Sequence, residues 1–240
     1  MVAVSFKDEL GLAAFFSLGI LLTADSKIIP TVGEACLIVA ICFGWFMLAS
    51  IDAVVRGFPT AASFSDSSLS GLMAVECFFG AIALAVLHLR GYSIKELLPK
   101  PTWRGCLAGT LLCAVALCAC WLVEQLFSQS QREAQPILAI LENARPTLVF
   151  ILALSLLNGL YEETFLLGYL IRGFSAAGAS FALGLNVLVR LLYHLYQGPM
   201  GAVSVVIFGL VVGYYYWRTR VLWPAVFAHM LADVLGLAHL

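Results

Sequence analysis

The sequence predicts an all-α, polytopic transmembrane helical bundle of about eight spans, and three observations predict it. Of 240 residues, 62% are hydrophobic and 11% charged, with a mean hydropathy of +0.99. Soluble domains carry about 25% charged residues, so this chain has too little polar surface to cover a water-soluble globule. The charges are gathered into short segments between apolar runs, and the runs approach the length of about 20 residues that a bilayer crossing needs. A net charge of −1 leaves no basic footprint for nucleic acid.

The first run, 8–25, ends at Asp25-Ser26-Lys27. Its start, Lys7-Asp8-Glu9, is acidic where a secretory signal would be basic, so it reads as a span. Runs follow at 30–55, closed by Gly57-Phe58-Pro59, at 69–89, and at 103–127 after a polar linker from Arg90 to Arg104. A second polar break, Ser128 to Arg145, precedes the runs 146–171, 175–197, 199–217 and 221–240. Pro146, Pro199 and Pro224 lie near helix starts, where a missing N–H costs least. No internal repeat is visible, so residues 1–240 read as one membrane domain. The seven cysteines all fall in apolar runs without a CxxC pair, as small hydrophobes do.

Loop cations set the expected orientation. Lys27, Arg90, Lys95, Lys100, Arg104, Arg172, Arg218 and Arg220 fall on one side; Lys7, Arg56, Arg132 and Arg145 fall on the other. The bias of eight against four puts both termini outside and the 90–104 loop in the cytoplasm.

Ionisable groups at membrane depth are costly and usually face a cavity or a partner. In the first half these are Glu34, Asp52, Glu76 and His88, of which only Glu76 is expected deep in its span. The second half is denser, with Glu162 and Glu163, then Arg190 and His194, then His229 and Asp233. The pairs 190/194 and 229/233 are spaced i,i+4, so each projects from one helix face. Adjacent Glu162 and Glu163 point about 100° apart, so one can face a cavity while the other meets a neighbouring helix. Such a cluster can be interhelical glue, or an acid/base site. A glutamate beside imidazole can deprotonate water, and a second imidazole can stabilise an oxyanion. Glu162, His194 and His229 can instead hold a divalent metal such as zinc with one open position. Both routes lead to hydrolysis of an amide or ester. HExxH and GxSxG are both absent.

These residues resemble the CPBP (CAAX protease and bacteriocin-processing, or Abi) intramembrane proteases, relatives of the Rce1-type prenyl-protein endopeptidases. The family's motifs are EExxxR, FxxxH and HxxxN/D on successive helices. Here they read Glu162-Glu163-Thr164-Phe165-Leu166-Leu167, Arg190-Leu191-Leu192-Tyr193-His194 and His229-Met230-Leu231-Ala232-Asp233. The similarity spans 146–236, which the resemblance makes a catalytic core. It implies that Glu162 activates water together with His194, that His229 and Asp233 orient and stabilise the oxyanion, and that a cation holds Glu163. It leaves metal dependence open. The implied substrate is a membrane-associated, prenylated or leader-bearing polypeptide that enters laterally from the lipid or from the cytoplasmic side. A short chain without targeting extensions fits a prokaryotic plasma membrane.

Two positions depart from the pattern. Leu167 replaces the motif arginine and Arg190 replaces the phenylalanine, so Arg190 is expected to substitute in space for the missing arginine and pair with Glu163. The same departure keeps open a non-catalytic scaffold or immunity protein of the same fold; a proton-coupled carrier is the third class. Depth adds a requirement. Counted from Ser175, His194 would sit about 28 Å from the face where Glu162 is about 15 Å deep, at 1.5 Å per residue. For the motifs to meet, 173–180 must be interfacial or looped, with the helix beginning near Phe181.

Overall fold

A computed structural model describes residues 29–58, 64–130 and 135–238. The expected span 8–25 lies outside them, as do Lys7, Lys27 and Arg132. Among the described residues the structure is helical, without strands. The long helices are α1 (Val32–Val55), α2 (Asp66–Leu89), α3 (Trp103–Glu124), α5 (Leu148–Glu163), α6 (Ala179–His194), α7 (Gly198–Thr219) and α8 (Trp223–Ala238). The break expected between Ser128 and Arg145 contains a further short helix, α4 (Pro136–Glu142), which begins at a proline and buries Ile140.

Start signals are local. Thr31 caps α1 by accepting from the Glu34 N–H, Ser65 and Ser68 form a capping box on α2, and Thr102 accepts from the Gly105 N–H on α3. The segment after Arg172 closes as a single 3-10 turn at Ser175–Ala177, and Gly178 (φ +97°) precedes α6. The helix therefore begins at Ala179, close to where the depth argument requires it. Its 16 residues extend about 24 Å, short of the roughly 30 Å hydrocarbon core. A 3-10 turn at Leu195–Gln197 and the buried Gly198 (φ +86°) fold α7 back on α6 within the protein. Asn186 of α6 donates to the Gly209 carbonyl of α7, which holds this hairpin together.

The core is built around α5, which continues without a break as a π-helix, Thr164–Ile171. Half of the Leu148–Ile171 span is buried, against 22% in α1, α2 and α3. α8 packs on α3 and α5, α6 on α1 and α7, and α2 on α5. Small residues set the approach of α8. A Cβ on Gly109 would lie 2.6 Å from the Pro224 carbonyl oxygen, and one on Gly159 would lie 3.1 Å from that of Val226. Close backbone approach through small residues is the usual basis of helix association in lipid, and here it brings His229 alongside α5.

The two membrane faces differ in charge. Arg90, Lys95, Lys100, Arg104, Arg172, Arg218 and Arg220 lie at one end of the bundle; among the described residues only Arg56 and Arg145 lie at the other. At the cation-rich end, Glu34 accepts from Arg90 Nε (3.1 Å), Tyr92 OH (2.6 Å) and Tyr169 OH (3.2 Å). Burial, and then the Glu34 carboxylate it serves, hold the Tyr92 phenol above its usual range.

Candidate active site

Glu162 and Glu163 occupy the last α-helical positions of α5, where the backbone passes from i→i+4 to i→i+5 bonding. Although they point in different directions, one side chain meets both. Arg190 donates through Nη1 to Glu162 Oε2 at 2.9 Å, and through Nη2 to both oxygens of Glu163 at 2.9 Å. The rigid fork of a guanidinium makes such bridging possible. Arg190 is 1% exposed, Glu163 0% and Glu162 5%. The guanidinium also lies 5.7 Å from the Phe208 ring centroid, a cation–π distance. Three residues along α6, Tyr193 donates its hydroxyl to the same Glu162 Oε2 at 2.5 Å. Arg190 thus reaches Glu163, as expected of it, and also Glu162.

His229 closes the cluster from α8. Its Nδ1 lies 2.6 Å from Glu163 Oε1; since that carboxylate accepts, Nδ1 carries the proton. Nε2 lies 3.8 Å from Glu162 Oε2 and 3.6 Å from Asp233 Oδ1. Asn158 of α5 donates to Asp233 Oδ2 at 2.9 Å and stands 3.4 Å from His229 Nε2. His194 is half-buried and donates Nδ1–H to the Arg190 carbonyl at 3.0 Å, which leaves Nε2 as its open nitrogen. Among the described residues no hydrogen bond or ion pair joins His194 to either glutamate.

A cavity of about 380 Å³ meets this cluster, bordered by Asn158, Arg190, His194, His229 and Asp233. Its other walls include Phe64, Ile137, Gln197 and Leu237, all near the helix ends opposite the cation-rich face. The ligand atoms of Glu162, Glu163 and His229 fall within 4.8 Å of one another; His194 is outside that group.

Tyr193 and Asn158 are members that the motif positions do not name. Both carried a signal in spacing: Asn158 lies one turn before Glu162, and Tyr193 shares the face of Arg190. Of the first-half acids, Asp52 is exposed and paired with Arg56, and Glu76 is buried with Oε2 unbonded among the described residues. Glu34 is buried, although it stands near its span end, because Arg90 and two tyrosines cover it.

No curated protein and no solved structure matches this chain. A family model does match residues 144–235, described as type II CAAX prenyl endopeptidase Rce1-like. The matched segment runs from just before α5 to Leu235 in α8 and contains every residue of the buried cluster. Over this segment the chain is similar to the Rce1-like family.

Proposed function

We propose that the chain is an intramembrane endopeptidase that cleaves a membrane-associated or lipid-modified polypeptide with a water activated by Glu162. The supporting observation is an asymmetry between the two glutamates. Both oxygens of Glu163 accept from Arg190, and one also from His229. Glu162 takes both of its bonds, from Arg190 and Tyr193, on Oε2. Its Oε1 has no donor among the described residues and is the atom left to draw a proton from water. The resulting hydroxide adds to the scissile carbonyl, with His194 Nε2 steadying the water. His229, fixed through Nδ1–H and protonated at both nitrogens among three carboxylates, presents Nε2–H to the oxyanion, and Asp233, tethered by Asn158, orients that imidazolium. Collapse breaks the C–N bond, and the proton taken by Glu162 passes to the leaving amine. With the membrane taken as a prokaryotic plasma membrane, the positive-inside reading has the cavity open toward its outer face. Substrate then enters laterally or from that face, where the resemblance implies lateral or cytoplasmic entry.

Glu162→Gln tests this reading. It keeps the shape and the Arg190–Glu163 pair, so the purified variant should fold normally and lose at least about 10²-fold in cleavage of a prenylated fluorogenic peptide. Unchanged turnover would falsify the assignment. The second reading, a non-catalytic membrane scaffold, is favoured by Leu167 in the motif and by a guanidinium bonded to both glutamates. It requires that Glu162→Gln leave cellular function intact.

We read the site as metal-independent, because its counter-charge is already in place. Glu163 and His229 Nδ1 spend their ligand atoms on each other and on Arg190, which already supplies the local positive charge. No step is therefore routed through a metal. Dialysis against a strong chelator should leave both melting temperature and turnover unchanged; loss restored by added zinc would reverse this assignment.

A further inference from the structure

A second cavity, of about 440 Å³, lies at the cation-rich end, where the segment after the π-helix, the end of α7 and the 96–100 segment meet. Lys100, Arg172 and Arg220 border it, with Glu96 as the opposing charge. Glu96 accepts from Arg172 both at its backbone oxygen (2.9 Å) and at its carboxylate, so it orients that guanidinium toward the cavity rim. The side chains of Lys100 and Arg220 make no hydrogen bond or ion pair among the described residues. The Tyr216 and Ser175 side chains add hydroxyls to the wall. The Ser175 hydroxyl already donates to the Arg172 carbonyl, which leaves its lone pairs and the Tyr216 O–H for an incoming group.

We propose that this cavity seats the phosphodiester headgroup of an anionic phospholipid. Three cations against one carboxylate leave a surplus that matches a headgroup bearing one or two negative charges. The wall is amphipathic in the required way. Leu98 (46% exposed) and Val221 (48% exposed) stand beside the cations and continue onto the lipid-facing surface, where acyl chains would lie. The cavity also sits at the face that the positive-inside bias assigns to the cytoplasm, whose leaflet holds the anionic lipids. Basic pockets between transmembrane helices on that side are suited to such headgroups. Arg220 occupies the left-handed region (φ +59°). It is the cap of α7, its N–H donating to the Tyr216 carbonyl, which fixes where its side chain leaves the helix beside the cavity. The proposal is independent of the peptidase reading, because none of these residues touches the buried cluster.

The experiment uses the full chain in nanodiscs of phosphatidylcholine alone, or with phosphatidylglycerol at equal total lipid. The melting temperature of the wild type should be higher by a few degrees in the discs containing phosphatidylglycerol, as binding to the folded state requires. Inorganic phosphate added to pure phosphatidylcholine discs should give no such increment. Lys100→Gln/Arg220→Asn should lose the increment while keeping its melting temperature in phosphatidylcholine; asparagine suits the positive φ. If that double variant fails to fold, Arg220→Asn alone should lose most of the increment. Arg104→Gln, on the same face but outside the cavity, should retain it. Equal melting temperatures of the wild type in both lipids, an increment that survives in the cavity variants, its loss in Arg104→Gln, or the full increment from inorganic phosphate would overturn the proposal.

Discussion

Glutamate, arginine and tyrosine meet twice in this molecule, once at the membrane surface and once in its interior. At the surface, Glu34 accepts from Arg90 Nε at 3.1 Å and from Tyr92 OH at 2.6 Å. Inside, Glu162 accepts from Arg190 Nη1 at 2.9 Å and from Tyr193 OH at 2.5 Å. The parts and distances are nearly the same, but the Arg90 side chain is 58% exposed and that of Arg190 is 2%. Glu34 is as buried as Glu162, each side chain 6% exposed, but the guanidinium that covers it stands at the surface, so water takes its place when it leaves. A buried guanidinium has no substitute partner, and neither have the carboxylates it leaves behind. Similar chemistry therefore serves as a dispensable brace at the surface and as an indispensable counter-charge inside.

That contrast is breakable at three points. Arg190→Leu should have the largest effect, because it strands two buried carboxylates. A loss of about 3–5 kcal/mol is expected from breaking a buried pair, read as a lowered urea or thermal midpoint together with abolished cleavage. Intact stability and activity would mean that Arg190 does not stand in for the motif arginine. Tyr193→Phe should cost less, about 1.5–3 kcal/mol for one hydrogen bond to a charged acceptor. If it acts on Glu162 alone, its effect on cleavage should vanish in the Glu162→Gln background. Arg90→Gln should be smallest, within about 1 kcal/mol, with turnover unchanged. A cost for Arg90→Gln as large as that for Arg190→Leu would collapse the distinction between the two clusters.

Much of the fold was legible because each span is an apolar run. The run 103–127 is observed as Trp103–Glu124, and 199–217 as Gly198–Thr219. The late start of α6 was also legible, since helical rise alone forbids the motifs from meeting otherwise. Within the cluster, charged residues stood out against hydrophobic surroundings, whereas Tyr193 and Asn158 offered no signal beyond their spacing. A tyrosine in lipid has several ordinary explanations, and a single asparagine barely lowers the hydropathy of a run. The π-helix was illegible for a different reason. Thr164–Ile171 is mostly apolar and all eight residues are buried, so no periodicity of side chains betrays the change in hydrogen-bond register. That change matters for reading the motif. In i→i+5 bonding the residue stacked on Glu163 is Gly168, whose added Cβ would lie 3.8 Å from the Glu163 carbonyl oxygen, rather than Leu167, four residues on. Residue spacing in the first motif therefore does not translate into the face expected of an α-helix.

The single guanidinium between two glutamates also has a consequence for how the protein is made. Arg190 follows Glu163 by 27 residues, and His229 follows it by 66. A ribosome therefore delivers α5 to the membrane with two carboxylates and no counter-charge, and an unpaired charge at that depth is unfavourable. α6 then arrives with one cation for two anions, and α8 supplies the remaining donor last. Neither intermediate suits hydrocarbon, so the two glutamates reach their full set of partners only once the chain has been made as far as His229.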